Sequence, residues 1–337
     1  MGHRISLAHG EGGELTHRLI KDVFVNSFGN MEQSKLDSAI FHHNDLQTIA
    51  VTTDSYVVKP IFFPGGNIGK LAITGTVNDL AVSGAKPQII TAGFIIEEGF
   101  LLSDLKKIVQ SMAAEANNAG VQIIAGDTKV VEKGSADGLF INTTGLGIIR
   151  DKHELKFDSI RERDSVIISG TLGDHGISIL SARQDLGLIT EVQSDCASLY
   201  HLIQELMEKI DGIRIMRDPT RGGLTTTLIE LCEDGKFNIL LDEASIPIRK
   251  DVQGVCDILG FDPLYLANEG KVIIVVDSTS EQKVLDIMRK NPLGKDACVI
   301  GHITSCDEYS GKLLLKTSVG STRRLYRLTE MLLPRIC

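Results

Sequence analysis

Apolar positions recur along this chain in two rhythms. Between residues 69 and 83, Ile73, Val77, Leu80 and Ala81 return every three to four positions, the spacing of one helix face. Leu105, Ile108, Val109, Met112 and Ala116 repeat that spacing, with Ser103 expected as the N-cap and Gly120 as the stop. Residues 39–43 and 47–53 read as a hairpin turning at Asn44-Asp45, and residues 88–96, 121–125 and 139–149 as further strands. A charged stretch, 150–164, then interrupts the pattern as a candidate linker. Beyond it, strands are expected at 166–169, 239–242, 272–277, 297–304 and 312–317, and helices at 174–182, 199–210, 222–232, 252–259 and 280–289. Strands and helices mix without strict alternation, which favours two α+β domains over a doubly wound sheet. The expected division is a Gly-rich arm (1–40), an N-terminal domain (41–150), a C-terminal domain (151–318) and a mobile tail (319–337).

The length, 337 residues, supports more than one domain. No apolar run reaches the ~18 residues of a membrane span. Residues 1–10 lack the apolar core of a signal peptide, so the cytoplasm is the default compartment. The net charge of -9, with no block of Lys and Arg, argues against a nucleic-acid partner. Six cysteines, none in a Cys-x-x-Cys pair, argue against a zinc site or a disulfide framework. Cys196, Cys232, Cys256, Cys298 and Cys306 fall in ordinary core patterns. Cys337 is the last residue, too late for a prenylation signal, and a terminal thiol suits a carrier that is loaded, processed and unloaded.

Four acidic spots sit where elements end. They are Asp54 in Thr52-Thr53-Asp54-Ser55, Asp79 beside Asn78, Asp127 before Thr128, and Asp218 in Asp218-Pro219-Thr220-Arg221-Gly222-Gly223. Magnesium takes oxygen ligands, usually one or two carboxylates completed by phosphate oxygens and waters. The plain alternative for each is an acid at a turn. Candidate phosphate grips are residues 10–13, Gly65-Gly66, and Gly222-Gly223 opening a helix. Residues 65–70 imitate a P-loop but fail, because Pro64 stands at the first glycine position and Leu71 at the Ser/Thr position. Lys129 is a phosphate contact, a proton-transfer group or a surface lysine. Glu269 is a general base or a turn acid, and His9 an arm residue or an exposed histidine.

Taken in order, His9-Gly-Glu-Gly-Gly13, Thr53-Asp54-Ser55, Phe63-Pro-Gly-Gly66, Gly75-Thr-Val-Asn-Asp-Leu-Ala81, Gly126-Asp-Thr128, Ser169-Gly-Thr-Leu-Gly-Asp-His-Gly176, Asp218-Pro-Thr-Arg-Gly-Gly223, Asn268-Glu-Gly270 and terminal Pro334-Arg-Ile-Cys337 resemble the HypE family of hydrogenase maturation factors. That family lies within the aminoimidazole ribonucleotide synthetase, or PurM-like, superfamily. The resemblance runs end to end, and the Pro-Arg-Ile-Cys terminus is its most specific part.

The resemblance implies a two-domain PurM-like α+β fold whose N-terminal halves pair into a β-barrel in a homodimer. It implies ATP and Mg2+ near that interface, with Asp54, Asp79 and Asp127 as metal positions. Asn78, Gly12, Gly13, Thr128 and Arg221 join them around the nucleotide. It further implies that a HypF-like carbamoyltransferase loads Cys337, that ATP drives dehydration of the carbamoyl group to thiocyanate, and that a HypC–HypD complex accepts the cyano group as a ligand for hydrogenase iron. Removing the amide oxygen requires phosphorylation of that oxygen and a base for the N–H protons, Glu269 or Lys129. A free tail of ~18 residues would reach about 60 Å. The rival readings are another PurM-like ATP-dependent enzyme and a nucleotide-binding scaffold for hydrogenase assembly. A selenophosphate synthetase would place a reactive Cys or Sec near its start, whereas the first cysteine here is Cys196.

Overall fold

A computed structural model of the chain describes residues 13–25, 37–43, 47–150, 155–183, 187–305 and 311–328. His9, Gly12, Cys306 and Cys337 lie outside the described residues. The first element, α1 (Glu14–Leu19), runs into a π-helical turn, Ile20–Val25. Then come β1 (Ala39–His43), β2 (Gln47–Tyr56), the short hairpin β3 (Phe62–Phe63) and β4 (Gly66–Asn67), α2 (Ile68–Val82), β5 (Ala85–Glu97), α3 (Leu102–Ala119), β6 (Gln122–Val131) and β7 (Leu139–Ile149). Five of these strands form a sheet in the order β1-β2-β7-β5-β6, antiparallel throughout except for the β5–β6 pair. Along β7 buried and more open positions alternate, so alternate side chains face the helix layer.

Helix α2 lies on that sheet and is buried on nearly every side, not only along the stripe of Ile73, Val77, Leu80 and Ala81. Small and polar residues (Gly75, Thr74, Thr76, Asn78) fill the rest of its surface, and the apolar spacing gave no sign that they too are enclosed. Asn67 caps the helix, its Oδ1 accepting the N–H groups of Gly69 and Lys70 at 2.9 and 3.1 Å. The expected cap of α3 is corrected: Leu101 holds the N-cap position, Ser103 lies inside the first turn, and Asp104 supplies the acid favoured there. Gly120 ends α3 in the left-handed conformation, as the sequence suggested.

The second half contains β8 (Ser165–Ile168), α4 (Asp174–Ala182), α5 (Tyr200–Lys209), β9 (Ile213–Arg217), α6 (Gly223–Gly235), β10 (Asn238–Asp242), α7 (Lys250–Leu259), β11 (Ile273–Val276), α8 (Glu281–Met288), β12 (Cys298–Ser305), β13 (Leu313–Lys316) and β14 (Thr322–Arg324). Seven strands make one sheet, ordered β14-β13-β10-β12-β8-β11-β9. β8 and β11 are buried throughout, which is why they read as unbroken apolar runs. The edge strands β9 and β14 escaped the sequence reading because charged residues interrupt them, a common property of edges.

β14 also corrects the expectation of a loose tail from residue 319. It pairs antiparallel with β13, and Leu325 is buried among Ile239, Leu313 and Leu315. Arg327 pairs with Glu233, and the Tyr265 hydroxyl donates to the Tyr326 carbonyl. The first described residues of the arm, Gly13 and Glu14, are docked there as well. The Glu14 N–H donates to the Leu328 carbonyl, and a Cβ at Gly13 would meet that same oxygen. The two halves share one apolar core, in which Val77 and Ala81 of α2 join Leu199, Ile203 and Leu206 around α5. A cavity lined by residues of both halves lies along this junction.

Candidate functional site

The end of β2 and the middle of α2 face the Asp218–Arg221 turn and the 268–270 turn across a cavity of about 250 Å³. Its walls carry five carboxyl groups, from Asp37, Asp54, Asp79, Asp218 and Glu269, together with Tyr56 and Arg221. Thr52 Oγ1 donates to Asp79 Oδ2 at 2.7 Å. The Tyr56 hydroxyl donates to Asp54 Oδ2 at 3.1 Å and lies 3.2 Å from Thr76 Oγ1. It fits over Gly75, where any side chain would collide with it. Arg217, on β9, forms an ion pair with Asp37 at 2.6 Å and reaches Glu230 at 3.4 Å; Glu230 also receives His17 of α1 at 2.8 Å.

Burying so many acids raises their proton affinity. Asp79 is pushed well above its ordinary range by burial first, then by Asp54, Asp218 and Asp37. Burial also raises Asp54, against Tyr56 and Arg221, which lower it. Asp218 is pushed up to about 8 by burial and by Asp37, and Asp37 to about 6 by burial, against the pull of Arg217. Glu269 rises well above the carboxylate range through burial, Asp195, Asp218 and Asp54, with Arg221 opposing. Among the described residues, one oxygen of Asp218 is buried without a hydrogen-bond partner. Such a cavity suits a hard cation that offsets the crowded negative charge. Among the described residues no three potential ligands converge as they would in a closed metal cage. The arrangement fits an ion held by one or two carboxylates and otherwise by phosphate oxygens and water, as magnesium is.

The residues expected from sequence divide clearly. Asp54, Asp79, Arg221 and Glu269 line the cavity. Asn78 lies behind it with both ends of its amide engaged: Nδ2 donates to the carbonyls of Ala197 and Glu269 at 3.1 and 3.3 Å, and Oδ1 accepts the Leu199 N–H at 2.8 Å. Asp127, Thr128 and Lys129 are elsewhere, on β6, where every residue from Gln122 to Val130 is exposed. There Lys129 pairs with Asp127 at 3.1 Å, and Lys129 with the Thr128 N–H holds the Asp127 carboxyl below its ordinary range. Gly13 sits at the junction of arm and tail. Gly65-Gly66, a candidate phosphate grip, is committed to the second half, with Gly65 against the Ser194 backbone and the Pro64 carbonyl accepting the Ser194 N–H at 2.8 Å. Gly222-Gly223 keeps its place, opening α6 beside cavity-lining Thr220 and Arg221.

Sequence reasoning passed over Asp37, Tyr56, Arg217 and Asp195. Tyr56 lay beyond the strand expected at 47–53, which runs on to it, and Arg217 lay in a strand not foreseen. For Asp37 and Asp195 no local signal existed. Cys196, Cys232 and Cys256 are buried as expected, and burial pushes the Cys256 and Cys232 thiols up to about 12.

Residues 35–149 match the family described as AIR synthase related protein, N-terminal domain, and residues 161–313 the corresponding C-terminal domain. The carbamoyl dehydratase HypE of Rhodobacter capsulatus is 44% identical, the alignment covering 99% of this chain and 98% of that protein. Its Escherichia coli K12 counterpart is 45% identical over 99% of this chain and 100% of its own. The chain belongs to the HypE family. Among solved structures, a chain of a HypE–HypF complex superposes with a TM-score of 0.85 at 45% identity, covering 92% of this chain and 99% of that one. A HypE in complex with ATP gives 0.82 at 43% identity, covering 98% of each chain. An Aquifex aeolicus thiamine monophosphate kinase, 16% identical with a TM-score of 0.65 over 90% of this chain and 97% of that one, shares the fold. The PurM-like α+β architecture expected for a HypE is therefore present, and among the described residues no helix is long and apolar enough to cross a membrane.

Proposed function

We propose that this chain is an ATP-dependent carbamoyl dehydratase of hydrogenase maturation. It converts an S-carbamoyl group on Cys337 into S-thiocyanate, the source of a cyanide ligand for hydrogenase iron. The observation that carries this reading is the burial of Glu269 in the same cavity as Asp54 and Asp79. The same cavity thus brings together acids suited to a cation and a candidate base. End-to-end similarity to HypE proteins, one of them solved with ATP, supports it.

Dehydration needs the amide oxygen turned into a leaving group. The γ-phosphoryl group of ATP is transferred to that oxygen, with ADP as the leaving group, and one N–H proton is lost. Phosphate then departs with the oxygen as the second N–H proton is removed and the C≡N bond completes. Glu269 is the base for these protons. Its raised proton affinity makes it a strong acceptor once ionised, and Arg221 favours the ionised form. Asp54 and Asp79 would hold Mg2+, which neutralises phosphate charge during transfer. Arg221, on the cavity wall beside the start of α6, would receive phosphate oxygens. The phosphorylated intermediate would hydrolyse if water reached it, so turnover requires its exclusion.

Asp127, Thr128 and Lys129 enter this scheme through a second copy. β6 is an exposed edge that carries Ile123, Ile124 and Val130 to solvent, and its pairing in a homodimeric barrel would cover them. Loading comes from a HypF-like carbamoyltransferase, in keeping with the HypE–HypF complex. A HypC–HypD complex receives the cyano group. The test is phosphate release from ATP by carbamoyl-loaded protein. Release should match thiocyanate formed one for one and be absent from loaded-and-washed Cys337→Ser. Release unaffected by loading would reject the reading.

A further inference from the structure

Residues 194–199 form no regular element, yet Cys196 and Leu199 are buried, and the segment is fastened at several points. The Ser194 N–H donates to Pro64, and Ser194 Oγ accepts the Cys196 N–H at 3.1 Å while lying 2.8 Å from His175 Nδ1. Thr74 Oγ1 meets Cys196 Sγ at 3.1 Å, and Asn78 holds the backbone at Ala197 and Leu199. In the middle is Asp195, whose side chain is 4% exposed. Its Oδ1 accepts the N–H of Glu269 at 3.0 Å, and its Oδ2 accepts Nζ of Lys271 at 2.9 Å. One carboxylate thus grips both flanks of Gly270, where any Cβ would collide with the Asp195 carbonyl. From the other side, Asn78 grips the Glu269 carbonyl.

We infer that Asp195, paired with Lys271, is a positioning residue that fixes the Glu269 carboxylate for proton removal, an inference that rests on the proposed role of Glu269. Asp195 itself does not line the cavity around Asp54 and Asp79; it borders a separate one with Ser169, Asp174 and Lys271. It acts through the backbone of the 269–271 turn. Burial pulls its carboxyl up, but Lys271, His175 and the Glu269 N–H together hold it below its ordinary range, so it remains an anion able to hold both donors. Catalysis is steep in geometry: a displacement of about 1 Å can cost about 10²-fold.

The test is a double-mutant cycle in the full-length, carbamoyl-loaded protein, measuring single-turnover thiocyanate formation and the KM for ATP. Asp195→Asn leaves one carbonyl oxygen for two donors and turns an amide toward Lys271. It should slow the chemical step about 10- to 10²-fold while changing the KM for ATP less than about threefold. Placed on Glu269→Gln, it should add almost nothing, because the group it positions is already disabled. A loss in the Glu269→Gln background as large as in the parent, or a parental rate for Asp195→Asn, would overturn the inference. A parental rate for Glu269→Gln itself would instead remove the base assignment beneath it. Asp195→Ala with Lys271→Met removes both grips without stranding a buried charge. It must show the same slowing and the same non-additivity even where the single variant folds poorly.

Discussion

Replacing Glu269 by Gln keeps the shape of the side chain and removes its basicity. The variant should bind ATP and carry the carbamoyl group, yet form thiocyanate about 10²–10⁴-fold more slowly. An unchanged rate would move the role to another group, Lys129 first. Asp79→Ala should fold, since it removes one of several buried like charges, and should lose ATP turnover; normal turnover in a folded variant would contradict the metal assignment. These residues were legible because acids beside Thr, Gly and Asn are where phosphate and metal chemistry occurs. What was not legible is how a single chain brings them together. Asp54, Asp79 and Glu269 meet in one cavity, whereas Asp127 and Lys129, which the motifs place in the same group, stand on an open edge. Asp37 and Asp195 carry no motif at all, and their importance comes from what the fold packs against them.

At the scale of elements, the central strands and most helices could be read from apolar rhythm, because burial on one or both faces dictates it. The charged edges β9 and β14 could not, since edge strands need little apolar character. The consequence is largest for the tail. β14 and Leu325 anchor the chain through residue 328, leaving only residues 329–337, about 30 Å of fully extended chain. On the proposed reading, Cys337 would then act within about half the reach that the sequence suggested. Leu325→Ala should cost about 2–5 kcal/mol, as cavity-forming core substitutions do. Chemical denaturation of the variant beside the parent decides the point, and equal stability would contradict the anchoring of β14.

The whole molecule carries its acidic cavity as a pH-dependent burden. A carboxyl whose folded pKa is raised keeps its proton longer in the folded state, so the folded protein binds more protons and stability falls as pH rises. For Asp37 the fall runs from its ordinary 3.8 to about 6, and for Asp218 on to about 8. Asp195 and Glu230, held low, act in the opposite sense, but only as pH drops below their ordinary values of 3.8 and 4.5. The ligand-free protein should therefore melt at progressively lower temperature from about pH 5 to about pH 8, and Mg2+ with ATP should stabilise it more at the upper end. A melting temperature that rises across this interval, with no added effect of Mg2+, would contradict the electrostatic account.

The central claim is chemical, and mass mapping of the C-terminal peptide tests it most directly. The full-length protein is loaded by its carbamoyltransferase partner, then given ATP and Mg2+, and the peptide ending in Cys337 is weighed before and after. The account predicts one carbamoyl group on Cys337 after loading and the loss of one water after ATP, with the five internal cysteines unmodified. A carbamoyl group mapped to Cys196, Cys232, Cys256, Cys298 or Cys306 with Cys337 free, or a loaded Cys337 whose mass ATP leaves unchanged, would contradict it.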